Sequence, residues 1–113
     1  MNGNKVYILW TNDNPETAHT MVFMYAINSL KNNWFEEVEV IIWGPTAKLV
    51  STDEGVREKV QMAMHAGVKV VACIACANMY GVKENLEELG IEVFSMGGPL
   101  TELLKNKEHL LTI

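Results

Sequence analysis

The fold is decided by one apolar stretch, Val68-Lys69-Val70-Val71-Ala72-Cys73-Ile74-Ala75-Cys76-Ala77. A run of this kind predicts a buried strand that ends at Cys73 and passes directly into a helix. Open α/β sheets bind ligands at the carboxyl edge of their strands, so this junction would put the Cys73 thiol where ligands bind. The backbone N–H groups of the first helical turn would also stabilise a thiolate there.

The alternation of strand and helix extends outward over the whole chain. Five short apolar runs predict strands at Val6–Trp10, Val38–Trp43, Val68–Cys73, Ile91–Ser95 and Leu110–Ile113. The first three are mostly continuous apolar runs, which is typical of strands covered on both faces. The βαβ pattern predicts an α/β fold with a five-stranded, mostly parallel sheet.

Helix boundaries between these strands are marked by capping residues. Asn14 is a predicted N-cap with Pro15 at the first helical position, and Ser51-Thr52-Asp53-Glu54 has the spacing of a capping box. Gly67 and Gly90 are predicted to end helices, and Pro99 to begin the last one. The loops after the strands are then predicted at Thr11–Asn14, Gly44–Thr52, Cys73–Asn78 and Ser95–Pro99.

The composition fits a single globular domain over residues 1–113. Hydrophobic residues make up 49% and charged residues 20%, a balance that excludes a disordered chain. The net charge of −5, with scattered lysines and a single arginine, argues against a nucleic-acid partner. No segment is long and apolar enough to cross a bilayer, so we expect no membrane association. Two neighbouring cysteines do not make a secreted disulfide framework, which favours a cytoplasmic location.

One predicted helix is unusually apolar. Met21–Ile27 lacks the polar stripe that a surface helix of a small domain normally shows. We expect this helix to be buried against another copy of the chain in a homo-oligomer, with Trp34 and Phe35 adding apolar area.

The loops at the carboxyl edge hold short polar residues and glycines. They predict a small pocket walled by backbone amides and by Trp10 and Trp43. Such a pocket suits a small sulfur species or a partner's thiol better than a nucleotide, so we expect no cofactor. The candidate pocket residues are Asn12, Gly44, Thr46, Asn78, Gly97 and Gly98.

The two cysteines allow more than one interpretation. Free cysteine is often buried, so Cys73 also fits a core residue at a strand end. Cys76 follows one helical turn later, close enough for a disulfide or for resolving a persulfide on Cys73. The Ile74-Ala75 insert and the position after the third strand depart from a thioredoxin-like motif. Zinc needs about four ligands, and no metal site is predicted from one cysteine pair and the dispersed His19, His65 and His109.

The most specific block is Cys73-Ile74-Ala75 with Gly81-Val82 eight positions on. Around it stand Ile41–Gly44, Ala66-Gly67-Val68, Val70–Val82, Leu86–Val93 and Met96-Gly97-Gly98. Together these blocks resemble the DsrE/DsrF-like sulfur-relay family, which includes the TusD-type proteins, over nearly the whole length. The chain looks like a small stand-alone member. The resemblance implies a three-layer α/β/α sandwich, assembly as trimers or hexamers, and a persulfide carried at the Cys73 position.

Two positions depart from that family pattern. The family's sulfur carriers tend to have a small residue where Cys76 stands, and basic residues where Met79-Tyr80 precede Gly81.

The predicted function is therefore a persulfide carrier or sulfurtransferase subunit acting through Cys73, with Cys76 as a second catalytic thiol. The partner would be a sulfur donor or acceptor protein. One alternative is a non-enzymatic ligand-binding or scaffolding homo-oligomer with structural cysteines, and another is a thiol redox couple of Cys73 and Cys76. The sequence leaves open whether the protein is an enzyme.

Overall fold

A five-stranded parallel sheet forms the centre of the protein. The computed structural model describes residues 4–113, so residues 1–3 of the predicted domain lie outside the described part. The elements in chain order are β1 (Lys5–Trp10), α1 (Pro15–Thr17), a π-helical turn (Ala18–Val22), α2 (Phe23–Lys31), β2 (Glu37–Ile42), α3 (Thr46–Thr52), α4 (Glu54–His65), β3 (Lys69–Cys73), α5 (Ile74–Tyr80), α6 (Lys83–Glu88), β4 (Glu92–Phe94), α7 (Gly97–Lys105) and β5 (Leu110–Thr112).

The strand order determines which face of the sheet each helix covers. The order is β4-β3-β2-β1-β5, and every neighbouring pair is parallel. The steps from β1 to β4 all run in one direction, so right-handed crossovers place the helices between them on one face. The step from β4 back to β5 runs the other way and places α7 on the opposite face. The result is a three-layer α/β/α fold, which confirms the predicted fold class with an all-parallel sheet.

The two faces are covered unequally. On the first face, alternate strand residues such as Ile8, Val40 and Val70 pack against helices α2 to α6 and the π-helical turn. On the second face, Ile41, Val71 and Cys73 pack with Met96, and Leu103 of α7 lies partly buried against them. No residue of α7 is fully buried, so this helix shields the second face only in part.

The predicted strands agree with the observed ones to within one residue at each end, and most predicted caps are confirmed. The side chain of Asn14 accepts hydrogen bonds from two backbone N–H groups of α1. Helix α4 begins two residues later than the predicted capping box, because Asp53 rather than Ser51 is its N-cap. Gly67 and Gly90 follow their helices with φ of +105° and +87°, the left-handed conformation that glycine adopts without steric cost.

The segment predicted as the loop Gly44–Thr52 is mostly helical, and this prediction was wrong. Helix α3 occupies Thr46–Thr52, although the segment is rich in weak helix formers. Its Ala47 and Val50 are completely buried. Burial of this face against the core therefore outweighs the low intrinsic helix propensity. Helices also begin inside two other predicted loops, with α5 starting at Ile74 and α7 at Gly97.

The apolar segment Met21–Ile27 has one buried and one exposed side. It spans the end of the π-helical turn and the beginning of α2. Val22, Phe23 and Ala26 are completely buried in the core, whereas Met21 is 39% and Met24 52% exposed. Part of its apolar character is therefore explained by the core of the chain itself.

Candidate functional site

The two cysteines lie together where β3 ends and α5 begins. Cys73 is the last residue of β3, and its extended backbone (φ −73°, ψ 121°) makes it the N-cap of α5. Cys76 follows three residues later in the first helical turn, where side chains three apart are neighbours. Both cysteines are free thiols, and Cys76 packs against the apolar cluster that contains Cys73.

A backbone group from the neighbouring strand completes this site. Strands β2 and β3 are adjacent, so the loop after β2 passes beside the start of α5. There the N–H of Gly44 donates a hydrogen bond to Cys76 Sγ at 3.1 Å. Gly44 has a φ of +70°, and a Cβ at this position would meet nothing within 4 Å. Glycine is therefore favoured here by the backbone angle and not by a lack of space for a side chain.

The surroundings of Cys76 raise the pKa of its thiol. Burial is the largest cause, because it disfavours the charged thiolate, and the neighbouring Cys73 thiol adds to the increase. The hydrogen bond from Gly44 opposes these effects by stabilising the thiolate, but it does not outweigh them. Cys76 is therefore mainly protonated at neutral pH.

Cys73 is the inner of the two thiols. It is 5% exposed and belongs to an apolar cluster with the buried Ile41, Val71 and Met96. Cys76 is half-buried and contacts both this cluster and the main core. The residues partly buried against the Cys73 cluster are Tyr7, Leu9, Trp43, Cys76, Phe94 and Leu103. Cys76 is therefore the thiol nearer to solvent.

Two of the other predicted site residues support the ends of the strands. Thr46 is completely buried, and its hydroxyl oxygen lies 2.9 Å from the Trp10 carbonyl oxygen and 3.0 Å from that of Trp43. It also accepts a hydrogen bond from the Trp43 N–H at 3.2 Å. Asn12 is exposed, and its backbone carbonyl accepts a hydrogen bond from the Trp10 indole N–H at 2.9 Å.

Of the two tryptophans predicted to wall the pocket, Trp43 contacts the Cys73 cluster and Trp10 does not. Trp10 is completely buried, and its ring packs edge-to-face on Phe23 with the ring centroids 5.0 Å apart. The prediction for Trp10 was wrong because its side chain points to the opposite face of the sheet from Cys73.

The remaining predicted pocket residues lie on the surface around this edge. Asn78 is exposed on α5 and lines a cavity of about 420 Å³ with Gly81, Lys83, Glu84 and Asn85, and neither cysteine lines it. Gly97 and Gly98 begin α7 directly after Met96, which packs against Cys73, but both glycines are exposed. The structure therefore brings Gly44 to the thiols and leaves Asn78 beside a separate cavity.

The pattern of the sequence did not identify Met96 and Phe94 as neighbours of Cys73. Phe94 is the residue of β4 that pairs in register with Cys73 of β3. The only available signal was the alternation of side chains along each strand, which places paired residues on the same face. Met96 follows two residues after Phe94 and is buried in the same apolar cluster as Cys73.

Within residues 4–113, no three His, Cys, Asp or Glu side chains are grouped so that they could hold a metal ion. In the same range, no helix is both long enough and apolar enough to span a membrane.

This fold and site define an α/β protein with two free thiols at the carboxyl edge of a parallel sheet. The model of the DsrE/DsrF-like family matches residues 4–113, and the chain belongs to this family. The resemblance to sulfur-relay proteins is thus confirmed at the level of the family. Among solved structures, the chain is similar to a conserved protein of unknown function from Bacteroides thetaiotaomicron. The two are 41% identical, with a TM-score of 0.95 over 97% of this chain and 95% of that chain. No curated protein matches the chain.

Proposed function

We infer that the protein is a persulfide carrier or sulfurtransferase subunit that holds sulfur on Cys73. The observation that carries this proposal is the pair of free, adjacent thiols at the end of β3, in a chain of the DsrE/DsrF-like family. A structural cysteine needs no second thiol beside it and no backbone N–H directed at that thiol. Here Cys76 has both Cys73 and the Gly44 N–H as neighbours.

The proposed transfer moves one sulfur atom without net oxidation. The Cys73 thiolate attacks the outer sulfur of a donor persulfide, R–S–SH, and a new bond forms between Cys73 Sγ and that sulfur. The S–S bond of the donor breaks, and its electron pair leaves with the donor thiolate. An acceptor thiolate later attacks the outer sulfur in the same way and releases Cys73. The buried surroundings of Cys73 favour a small or slender donor over a bulky one.

We also place the sulfur donor or acceptor protein, and further copies of the chain, among its partners. The exposed Met21, Met24 and Trp34 line a small apolar groove outside the core. A trimer or hexamer that buries this groove would account for the apolar character that the core of one chain leaves exposed. Free thiols fit a reducing compartment, so we propose that the protein acts in the cytoplasm.

The experiment exposes the native protein to a low-molecular-weight persulfide and measures its intact mass. The Cys76→Ser variant should gain one sulfur atom, because its remaining thiol has no internal competitor. The double variant Cys73→Ser/Cys76→Ser is the matched control and should gain none. Failure of Cys76→Ser to gain sulfur, or an equal gain in the double variant, would overturn the proposal.

A second candidate function is a scaffolding or ligand-binding oligomer in which both cysteines are structural. The 5% exposure of Cys73 favours it, because a buried thiol in an apolar cluster is usually inert. This alternative expects Cys73 to be alkylated only after unfolding. If the protein transfers sulfur, Cys73 of the folded Cys76→Ser variant should be alkylated on the timescale of persulfide transfer.

A further inference from the structure

We propose that Cys76 discharges the sulfur held on Cys73 as hydrogen sulfide when no acceptor thiol takes it, so that persulfide without an acceptor is converted into sulfide. This inference rests on the proposed function and concerns the same site. It follows from the arrangement of the two thiols, in which the more accessible Cys76 lies against the buried Cys73.

The backbone geometry allows the two sulfur atoms to bond. Cys73 is the extended N-cap of α5 and Cys76 lies in its first turn, so both are held by regular elements. Residues three apart at the start of a helix have Cα atoms within the range that disulfides span, about 4.4–6.8 Å. Cys76 already packs against the cluster that contains Cys73, so its thiol lies on the side of the sheet from which Cys73 is reached. An attacking group already held beside its target reacts as if it were highly concentrated.

The discharge step balances without an outside oxidant. The Cys76 thiolate attacks Sγ of Cys73, and a Cys73–Cys76 disulfide bond forms. The bond between Cys73 Sγ and the transferred sulfur breaks, and its electron pair leaves with that sulfur as HS⁻, which takes up a proton to become H₂S. The two cysteines are oxidised by two electrons in total, and the sulfane sulfur is reduced to sulfide. An external dithiol must then reduce the disulfide before the next cycle.

The Gly44 N–H has a defined part in this step. It donates to Cys76 Sγ at 3.1 Å, and this bond stabilises the negative charge on Cys76 before attack. Gly44 is in this sense a positioning residue, because it acts through Cys76.

The test compares wild type with Cys76→Ser under a persulfide donor, with measurement of released sulfide and of intact mass. Wild type should release a burst of about one sulfide per chain and lose the mass of two hydrogens. Addition of a dithiol should restart the release. Cys76→Ser should retain the added sulfur about tenfold longer or more, and should release no burst. Ala75→Ser, an exposed change in the same turn, should behave like wild type.

The outcomes separate this inference from the proposed function. If wild type and Cys76→Ser keep the added sulfur equally long and no disulfide forms, the discharge step is excluded while Cys73 remains a sulfur carrier. If neither protein gains sulfur or releases sulfide, the carrier function fails and the discharge inference fails with it. Thiol counting after unfolding confirms that any missing thiols are in the Cys73–Cys76 disulfide.

Discussion

The backbone N–H of Gly44 lies 3.1 Å from Cys76 Sγ and joins the end of β2 to the first turn of α5. This hydrogen bond connects two adjacent strands at the carboxyl edge of the sheet, where the strand order brings their following segments side by side. The same hydrogen bond lowers the pKa of Cys76, because it stabilises the thiolate form, whereas burial and Cys73 raise it.

Replacing Gly44 with alanine should weaken both the fold and the thiol site. Its φ of +70° costs a residue with a Cβ about 1 kcal/mol, so the free energy of unfolding in urea should fall by about that amount. A shifted N–H would also raise the pKa of Cys76 further and slow its alkylation near neutral pH. Gly97→Ala is the control, because Gly97 is helical and has open space around it. Equal losses in both variants would contradict this account.

The reaction of Cys76 with an alkylating reagent should have a pH profile shifted to high pH. Burial is the largest cause of its raised pKa, and Cys73 is the titratable neighbour that adds to it. In the Cys73→Ser variant burial remains, so the inflection of the alkylation rate should lie above that of the same chain in denaturant. Because only the thiolate reacts, the native rate at neutral pH should be the slower one. An inflection at or below the denatured value would show that the site stabilises the thiolate.

Lys5 should contribute more to stability than Lys69, although both approach the same carboxylate. Glu39 is buried, and its Oε1 lies 3.2 Å from Lys5 Nζ and 3.9 Å from Lys69 Nζ. Burial lowers the pKa of Lys5, but its interactions with Glu39 and with Tyr7 outweigh this and leave the pKa raised. Lys5→Met leaves a buried carboxylate poorly compensated and should cost about 1–3 kcal/mol in urea unfolding.

Lys69→Met is the matched control for this pair. The Lys69 side chain is 57% exposed, so its loss should cost less than about 0.5 kcal/mol. Both variants should be compared at one protein concentration, because association changes apparent stability. Equal losses of unfolding free energy in Lys5→Met and Lys69→Met would contradict the larger contribution predicted for Lys5.

The proposed oligomer should depend on exposed apolar residues of α2 and of the turn that follows it. Met24 is 52% and Trp34 is 56% exposed, and Trp34 stacks near Tyr25 with ring centroids 6.0 Å apart. Met24→Lys or Trp34→Lys should shift the mass measured by light scattering from a trimer or hexamer toward the single chain. Met79→Lys, at a residue that is 78% exposed, should leave the mass unchanged. A wild-type protein that is monomeric at all concentrations would contradict this prediction.

The strands could be predicted because their signals are local. Each strand is a short run rich in apolar residues, and each predicted end lies within one residue of the observed one. Helix α3 could not be predicted, since Thr46–Thr52 forms a helix through burial of Ala47 and Val50 and not through propensity. The π-helical turn at Ala18–Val22 contains no glycine or proline, so no residue in it indicated a departure from the α-helix.

The site was predictable in its position but not in its orientation. Cys73, Cys76 and Gly44 could be placed at one edge because the carboxyl ends of parallel strands lie at the same edge of a sheet. The contact of Gly44 with Cys76 depends on β2 and β3 being neighbours, and the sequence did not give the strand order. Trp10 could not be assigned to a face, because a continuously apolar strand gives no polar alternation to indicate which side is which. The burial of Cys73 also depends on Met96 and Leu103. Both lie in the connection from β4 to β5, which crosses the sheet from one edge strand to the other.

The most direct measurement is the location of transferred sulfur in the native Cys76→Ser protein. After exposure to a persulfide donor, the protein is alkylated, digested and analysed by tandem mass spectrometry. We predict a trapped persulfide on the peptide that contains Cys73, formed while the protein stays folded. Recovery of Cys73 as an unmodified thiol that reacts only after denaturation would contradict the central claim.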